Sequence, residues 1–255
     1  MIRLLARMTS MHPDHEAQRS PVEIFMKSWR VYQEIIVNNY MFHREITEAA
    51  STELTHLKPG QSLRILDLGA GDASMTLPLL PAERIASYIG CDLSQPALDL
   101  ASHKLVTSDI PHQLVCDDML KVAAEQSVDS FDLVISSYAM HHLNAQQKQQ
   151  MIQEISRILA ADGCFLLIDV FREMSEDRAA YMRHYMETLR RTWANLSPAS
   201  QELVVDHATN YDFPEQTDFY SALCLKHGLG SGKQLAKHTW HEAWLFTTSP
   251  KNQSA

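Results

Sequence analysis

Two acids and two glycines stand at a spacing that could do chemistry. In RILDLGAGDAS (Arg64–Ser74), Asp67 ends an apolar run and Gly69-Ala70-Gly71 follows, while a second run, Tyr88-Ile89-Gly90-Cys91, ends in Asp92. An apolar run breaking into glycines reads as a buried parallel strand that turns tightly and enters a helix. Glycines at such a turn let a ligand lie directly on the main chain. The second acid follows about 20 residues later, the spacing at which a β-α-β unit delivers a carboxylate to a ribose. A dinucleotide fits this turn poorly, because the third glycine is missing and Asp72 stands where a pyrophosphate would be repelled. Two acids around a glycine turn suit instead a ligand that carries positive charge beside an adenosine.

With LDLGAGDAS in place, VCDDM (Val115–Met119), FDLVISSYAMHHL (Phe131–Leu143) and the strand around Phe165–Phe171 follow in the family order of the class I S-adenosylmethionine-dependent methyltransferases. The chain resembles that family from about Leu63 to Phe171. The resemblance implies S-adenosyl-L-methionine as cofactor and an activity that moves its methyl group to an O or N atom of a small-molecule acceptor. It implies that Asp67, Gly69, Ala70 and Gly71 hold the methionine end and that Asp92, with Leu93, holds the ribose. Asp117 and Met119 would then meet the adenine, with Asp118 and Ser136 nearby. Asp118 also reads as an ordinary helix cap.

A sulfonium is already an activated electrophile, so such a reaction needs no covalent intermediate and no metal. It needs a nucleophile held in line with the S–methyl bond and, for some acceptors, a base. His142 and His141, at the mouth of a strand, lead as that base, because a histidine near neutral pKa suits a phenol, an enol or a protonated amine. His43 and Tyr138 are alternates, and a carboxylate acceptor would need no base at all. Tyr32, Tyr40 and Tyr138 are candidate substrate contacts, although an aromatic stripe also suits simple packing on a core. Two alternatives stand beside this reading: an RNA or protein methyltransferase, and a non-catalytic cofactor-binding scaffold.

The elements that must position these residues are legible in part. The resemblance implies a doubly wound α/β architecture: a mostly parallel seven-stranded Rossmann-like sheet with an antiparallel C-terminal hairpin and added N-terminal helices. Residues before about Ser20 show no periodicity and read as a loose arm containing His12 and His15. Ser20-Pro21 with Glu23 is a capping-box start, and apolar residues then recur at helical spacing toward Pro59-Gly60. A short or kinked helix is expected over Ser74–Ala86, which holds Pro78 and Pro81. Ser94 and Asn144 read as caps of later helices, the second stopped by Gly163. Beyond about residue 175 the period changes to that of a helical insertion reaching about residue 229. Lys233–Thr239 and Trp240–Thr247 read as a hairpin. The expected organisation is an arm (1–20), a helical lid (21–60) and one cofactor-binding domain (61–255).

Composition sets the outer limits. The chain has 255 residues, 45% hydrophobic and 21% charged, enough for one core with elaborations. Its net charge of −9 provides no footprint for nucleic acid. No apolar run approaches a membrane span, and the short basic start reads as neither signal nor transit peptide. The four scattered cysteines suit buried thiols in a reducing compartment, so a cytoplasmic enzyme is expected, a monomer or homodimer with a small-molecule partner and no membrane association.

Overall fold

The structure, a computed structural model, describes residues 30–248. The expected arm, its histidines and the capping box at Ser20 lie outside the described residues. The chain is helical over 30–37 (α1), then forms α2 (His43–Leu54), β1 (Leu63–Leu68), β2 (Ile85–Asp92), α3 (Gln95–Thr107), β3 (His112–Cys116), α4 (Met119–Glu125) and β4 (Phe131–Ser137). There follow α5 (Ala145–Ile158), β5 (Leu159–Val170), α6 (Arg178–Thr192), α7 (Pro198–Tyr211), α8 (Thr217–Lys226), β6 (Lys233–His238) and β7 (His241–Thr247). The strands make one seven-stranded sheet in the order β3-β2-β1-β4-β5-β7-β6. β1 to β5 run parallel, and β7 returns antiparallel between β5 and β6.

The central strands are apolar on both faces because helices cover both. Leu63, Ile65, Leu133 and Leu166 join one core, with Ile46, Ala50 and Leu54 of α2. Leu66, Leu68, Val134 and Leu167 join the other, with Met151, Ile152 and Ile155 of α5. Each leucine, isoleucine, valine or methionine so withdrawn from water contributes roughly 1.5–3 kcal/mol. A third cluster lies off the sheet, where Val31 and Ile35 of α1 pack against Tyr181, Tyr185, Leu189 and Trp193 at the inserted helix α6. Asp132, at the start of β4, ties that end of the central strands together through Arg64 of β1 and Lys58 just before it.

The caps at Ser94 and Asp118 form, each side chain accepting from an amide of the helix it opens. Asn144 and Gln147 make a reciprocal capping box on α5. Two expectations are corrected. No α-helix follows the glycine turn; Pro78 and Pro81 leave two 3-10 turns, Leu77–Leu79 and Ala82–Arg84, since each proline removes a backbone donor. Gly163 does not stop α5, which ends at Ile158. It lies inside β5, where a Cβ would come within 2.9 Å of the Ala160 carbonyl and 3.2 Å of the Asp132 carbonyl.

Candidate active site

The carboxyl ends of β1, β2, β3 and β4 meet at the Gly69–Gly71 turn, the position at which open α/β sheets bind ligands. Gly69 and Gly71 both have positive φ, 79° and 55°. Gly69 also lies so near Ala139 that a Cβ would meet the alanine methyl at 2.4 Å. Asp67 is buried and accepts hydrogen bonds from Thr76 and from the Tyr88 hydroxyl at 2.7 Å. Burial outweighs those bonds and pushes its pKa up to about 6. Asp92 accepts from the amides of Gly71 (2.9 Å) and Ser94 (2.8 Å), and burial pushes its pKa up to about 6 as well.

Two cavities flank the turn. The smaller, about 470 Å³, is lined by Asp92, Leu93, Asp117, Asp118 and Met119, with Gly69, Ala139 and His142 closing it. The larger, about 1030 Å³ with its opening, has Asp67, Gly69, Ala70 and Gly71 on one side. Its opposite walls are largely apolar: Ile35 and Met41 from the N-terminal segment, Tyr185, Trp193 and Val204 from the insertion. Tyr32 and Tyr138 line it as well. Tyr138 stands in the loop after β4 with φ 51°, and its hydroxyl donates to the Met41 carbonyl at 2.6 Å.

One end of the larger cavity is polar. His141, which lines that end, and His142, which lines the smaller cavity, sit on a 3-10 turn (Met140–His142) just past β4. The Asp169 carboxylate, wholly buried at the end of β5, accepts from the His141 ring at Nδ1 and from the His141 amide at 3.0 Å. That leaves His141 Nε2 facing Asp212, whose Oδ1 is 3.6 Å away. The same oxygen is 3.2 Å from His142 Nδ1 and 3.5 Å from Nε2 of His207 on α7.

The residues singled out in the sequence are therefore not all brought together. Asp67, Gly69, Ala70, Gly71, Asp92, Leu93, Asp117, Asp118, Met119, Tyr32, Tyr138, His141 and His142 line one cavity or the other. Ser136 lines neither; it is fully buried and donates to the Leu68 carbonyl. Tyr40 stacks on the far side of Trp193, centroids 5.0 Å apart, and its hydroxyl accepts from the Asn195 amide. His43 is packed behind Tyr138, 5.2 Å between centroids, with neither ring nitrogen hydrogen-bonded, and burial pulls its pKa down to about 4. Sequence reasoning missed Asp169, His207, Asp212 and Tyr185. A strand-terminal acid was the one available signal for Asp169, by the logic that selected Asp67 and Asp92. Nothing in the local pattern marks His207 or Asp212.

Residues 65–163 match the family of methyltransferase domains. An uncharacterized methyltransferase from Anoxybacillus flavithermus is 24% identical over 210 residues, covering 79% of this chain and 95% of that protein. The family match, this relative and the seven-stranded fold support a class I S-adenosylmethionine-dependent methyltransferase. Its cofactor is S-adenosylmethionine. Among solved structures, magnesium protoporphyrin IX methyltransferase from Synechocystis, crystallised with S-adenosylhomocysteine, superposes with a TM-score of 0.59 at 14% identity, over 88% of this chain and 94% of that one. A methyltransferase from Haloferax volcanii, solved in complex with the activator Trm112, gives 0.59 at 16% identity over 88% and 97%. At such identities these two neighbours speak for the fold of the methyltransferase, and the chemistry must be argued from its own residues.

Proposed function

We propose that this methyltransferase transfers the methyl group to an O or N atom of a small, largely apolar acceptor held in the larger cavity. The observation that carries the reading is the pairing of that cavity with the glycine turn: one wall is the turn itself and the others are aromatic and aliphatic. Residues 30–60 and the insertion at about 175–229 act as the lid over it. The residues at the turn fit the cofactor. Asp92 still has acceptor capacity beyond its two amide bonds, and Leu93, Asp117 and Met119 border a slot beside it. In this reading Asp92 accepts the ribose hydroxyls, and Asp67, Gly69, Ala70 and Gly71 border the methionine end. When bound, S-adenosylmethionine supplies an activated methyl carbon on a sulfonium.

The protein's own work is positioning. Tyr32, Met41, Tyr185 and Trp193 exclude water and orient the apolar body of the acceptor. Its nucleophilic atom faces the polar end, against His141 and Asp212. Asp169 keeps the His141 ring from turning. The acidic net charge supports a small acceptor over RNA.

The test is calorimetric titration with S-adenosylhomocysteine, beside Asp92→Ala. Micromolar binding by the intact chain, weakened at least tenfold in the variant, supports the reading. Absence of binding by the folded wild type would overturn it, whereas binding without methyl transfer to any acceptor would bring the non-catalytic cofactor-binding scaffold forward. Acceptors are then screened with a labelled methyl donor.

A further inference from the structure

We propose that His141, His142 and Asp212 form a binding site for a divalent transition-metal ion where the polar end of the acceptor cavity meets the smaller cavity. This deepens the reading above and rests on it for the identity of the cavity. It departs from the sequence-based expectation that no metal is needed.

Geometry carries the proposal. His141 Nε2 lies 3.6 Å and His142 Nδ1 3.2 Å from Asp212 Oδ1, and the three candidate donor atoms are all within 4.8 Å of one another. Zinc bound at about 2.0–2.2 Å by tetrahedral nitrogen and oxygen donors holds those donors about 3.4 Å apart. The two histidines are adjacent in sequence on a short turn, and the carboxylate arrives from the end of α7, so the site needs both the sheet and the insertion.

The surroundings match a metal site in two further ways. The His141 ring is fixed through Nδ1 by the buried carboxylate of Asp169, itself held by the His141 and Val170 amides; such an arrangement selects the tautomer and aims Nε2 at the ion. Asp212 Oδ1 is buried and makes no hydrogen bond among the described residues. His207, 6% exposed, has both ring nitrogens buried without a hydrogen bond, and its Nε2 is 3.5 Å from that same oxygen. Orphaned polar atoms in an interior are costly, and two of them, Asp212 Oδ1 and His207 Nε2, face each other where a shared partner would satisfy both. The competing, metal-free account is an ion pair: His142 Nδ1 is 3.2 Å from Asp212 Oδ1 and also meets the Tyr211 carbonyl at 3.4 Å, and metal titration decides between the two.

Two histidines and one carboxylate with open positions suit Zn²⁺ or Fe²⁺ better than Mg²⁺ or Ca²⁺, which prefer oxygen alone. The fourth position of a tetrahedral ion would take either His207 or an oxygen or nitrogen atom of the acceptor, and in the second case the ion orients the acceptor toward the glycine turn.

The test uses the full chain without an affinity tag, stripped by chelator and then offered Zn²⁺, Co²⁺, Mn²⁺ or, without oxygen, Fe²⁺. Metal per chain is read by mass spectrometry and Co²⁺ by its visible absorption. One ion per chain is expected, with binding lost in His142→Ala and Asp212→Asn and weakened about 10–100-fold in Asp169→Asn. Because the chain has 13 histidines, site assignment rests on those variants, with His43→Phe retaining the ion. The wild type alone decides the matter if the variants do not fold: no stoichiometric ion of the four overturns the proposal. Retention by folded Asp212→Asn and His142→Ala overturns it equally. Asp92→Ala separates the two readings, since it should lose S-adenosylhomocysteine and keep the ion. An ion bound by a wild type that ignores S-adenosylhomocysteine would sink the cofactor assignment and leave the metal site standing.

Discussion

At the scale of single residues, the two acids flanking the glycine turn make cofactor binding pH-dependent. Asp67 and Asp92 are both held at about 6 by burial, above the ordinary carboxylate value near 3.9. A raised folded pKa contributes stability that is full below the unfolded value and is lost as pH rises through 6, so the ligand-free protein favours their protonated forms in mild acid. A ribose hydroxyl or a cationic ligand needs them ionised. Affinity for S-adenosylmethionine is therefore expected to be level above about pH 7 and to fall below 6, by up to about tenfold per pH unit for each group. Calorimetry at pH 5, 6 and 7.5 checks this, and a flat profile would show that neither acid carries the ligand. These acids were readable because each stands at or one residue from the end of a strand and two positions from a glycine. The partners of His141 were not, because Asp169 and Asp212 are 28 and 71 positions away in the chain and only the folded sheet and insertion bring them to it.

At the scale of elements, Asp132 shows how the sheet holds its register at the end remote from the site. Its carboxylate accepts from Lys58, from the Arg64 side chain and from the Arg64 amide at 3.0 Å, which joins the start of β4 to β1. Burial opposes its ionisation, but the Arg64 and Lys58 partners outweigh burial and hold its pKa well below the usual range. A lowered folded pKa stabilises above the unfolded value and is lost as pH falls. Asp132→Asn should therefore cost about 1–3 kcal/mol at pH 7, with the difference from wild type shrinking below about pH 4. Urea denaturation at several pH values measures it; an equal cost at pH 7 and pH 3 would mean that charge is not the cause. The parallel strands and their caps were legible because apolar runs and Ser, Asp or Asn caps are local signals. The missing first crossover helix was only half legible: Pro78 and Pro81 announced trouble, but whether two prolines kink a helix or abolish it depends on how α2 and the 3-10 turn Leu77–Leu79 share the sheet face.

At the scale of the whole molecule, the sheet and the roof of the larger cavity are built from different parts of the chain. The composition and the order of motifs made the doubly wound sheet legible. The roof was not, because the pairing of α1 with α6 follows from mutual shape rather than from either periodicity. Tyr40 meets Trp193 and Asn195 across more than 150 residues, and Tyr138 reaches back to Met41 across 97. The cost of closing such long loops falls on the roof, whose apolar contacts reward it late. Refolding should thus be biphasic: far-ultraviolet circular dichroism recovers first, and competence to bind S-adenosylhomocysteine precedes the final burial of Trp193. Stopped-flow tryptophan emission of wild type against Trp193→Phe separates these phases, and a single shared rate would show that sheet and roof assemble together. A nascent chain leaving the ribosome meets the same order: it can hold its cofactor turn well before the walls that select an acceptor exist.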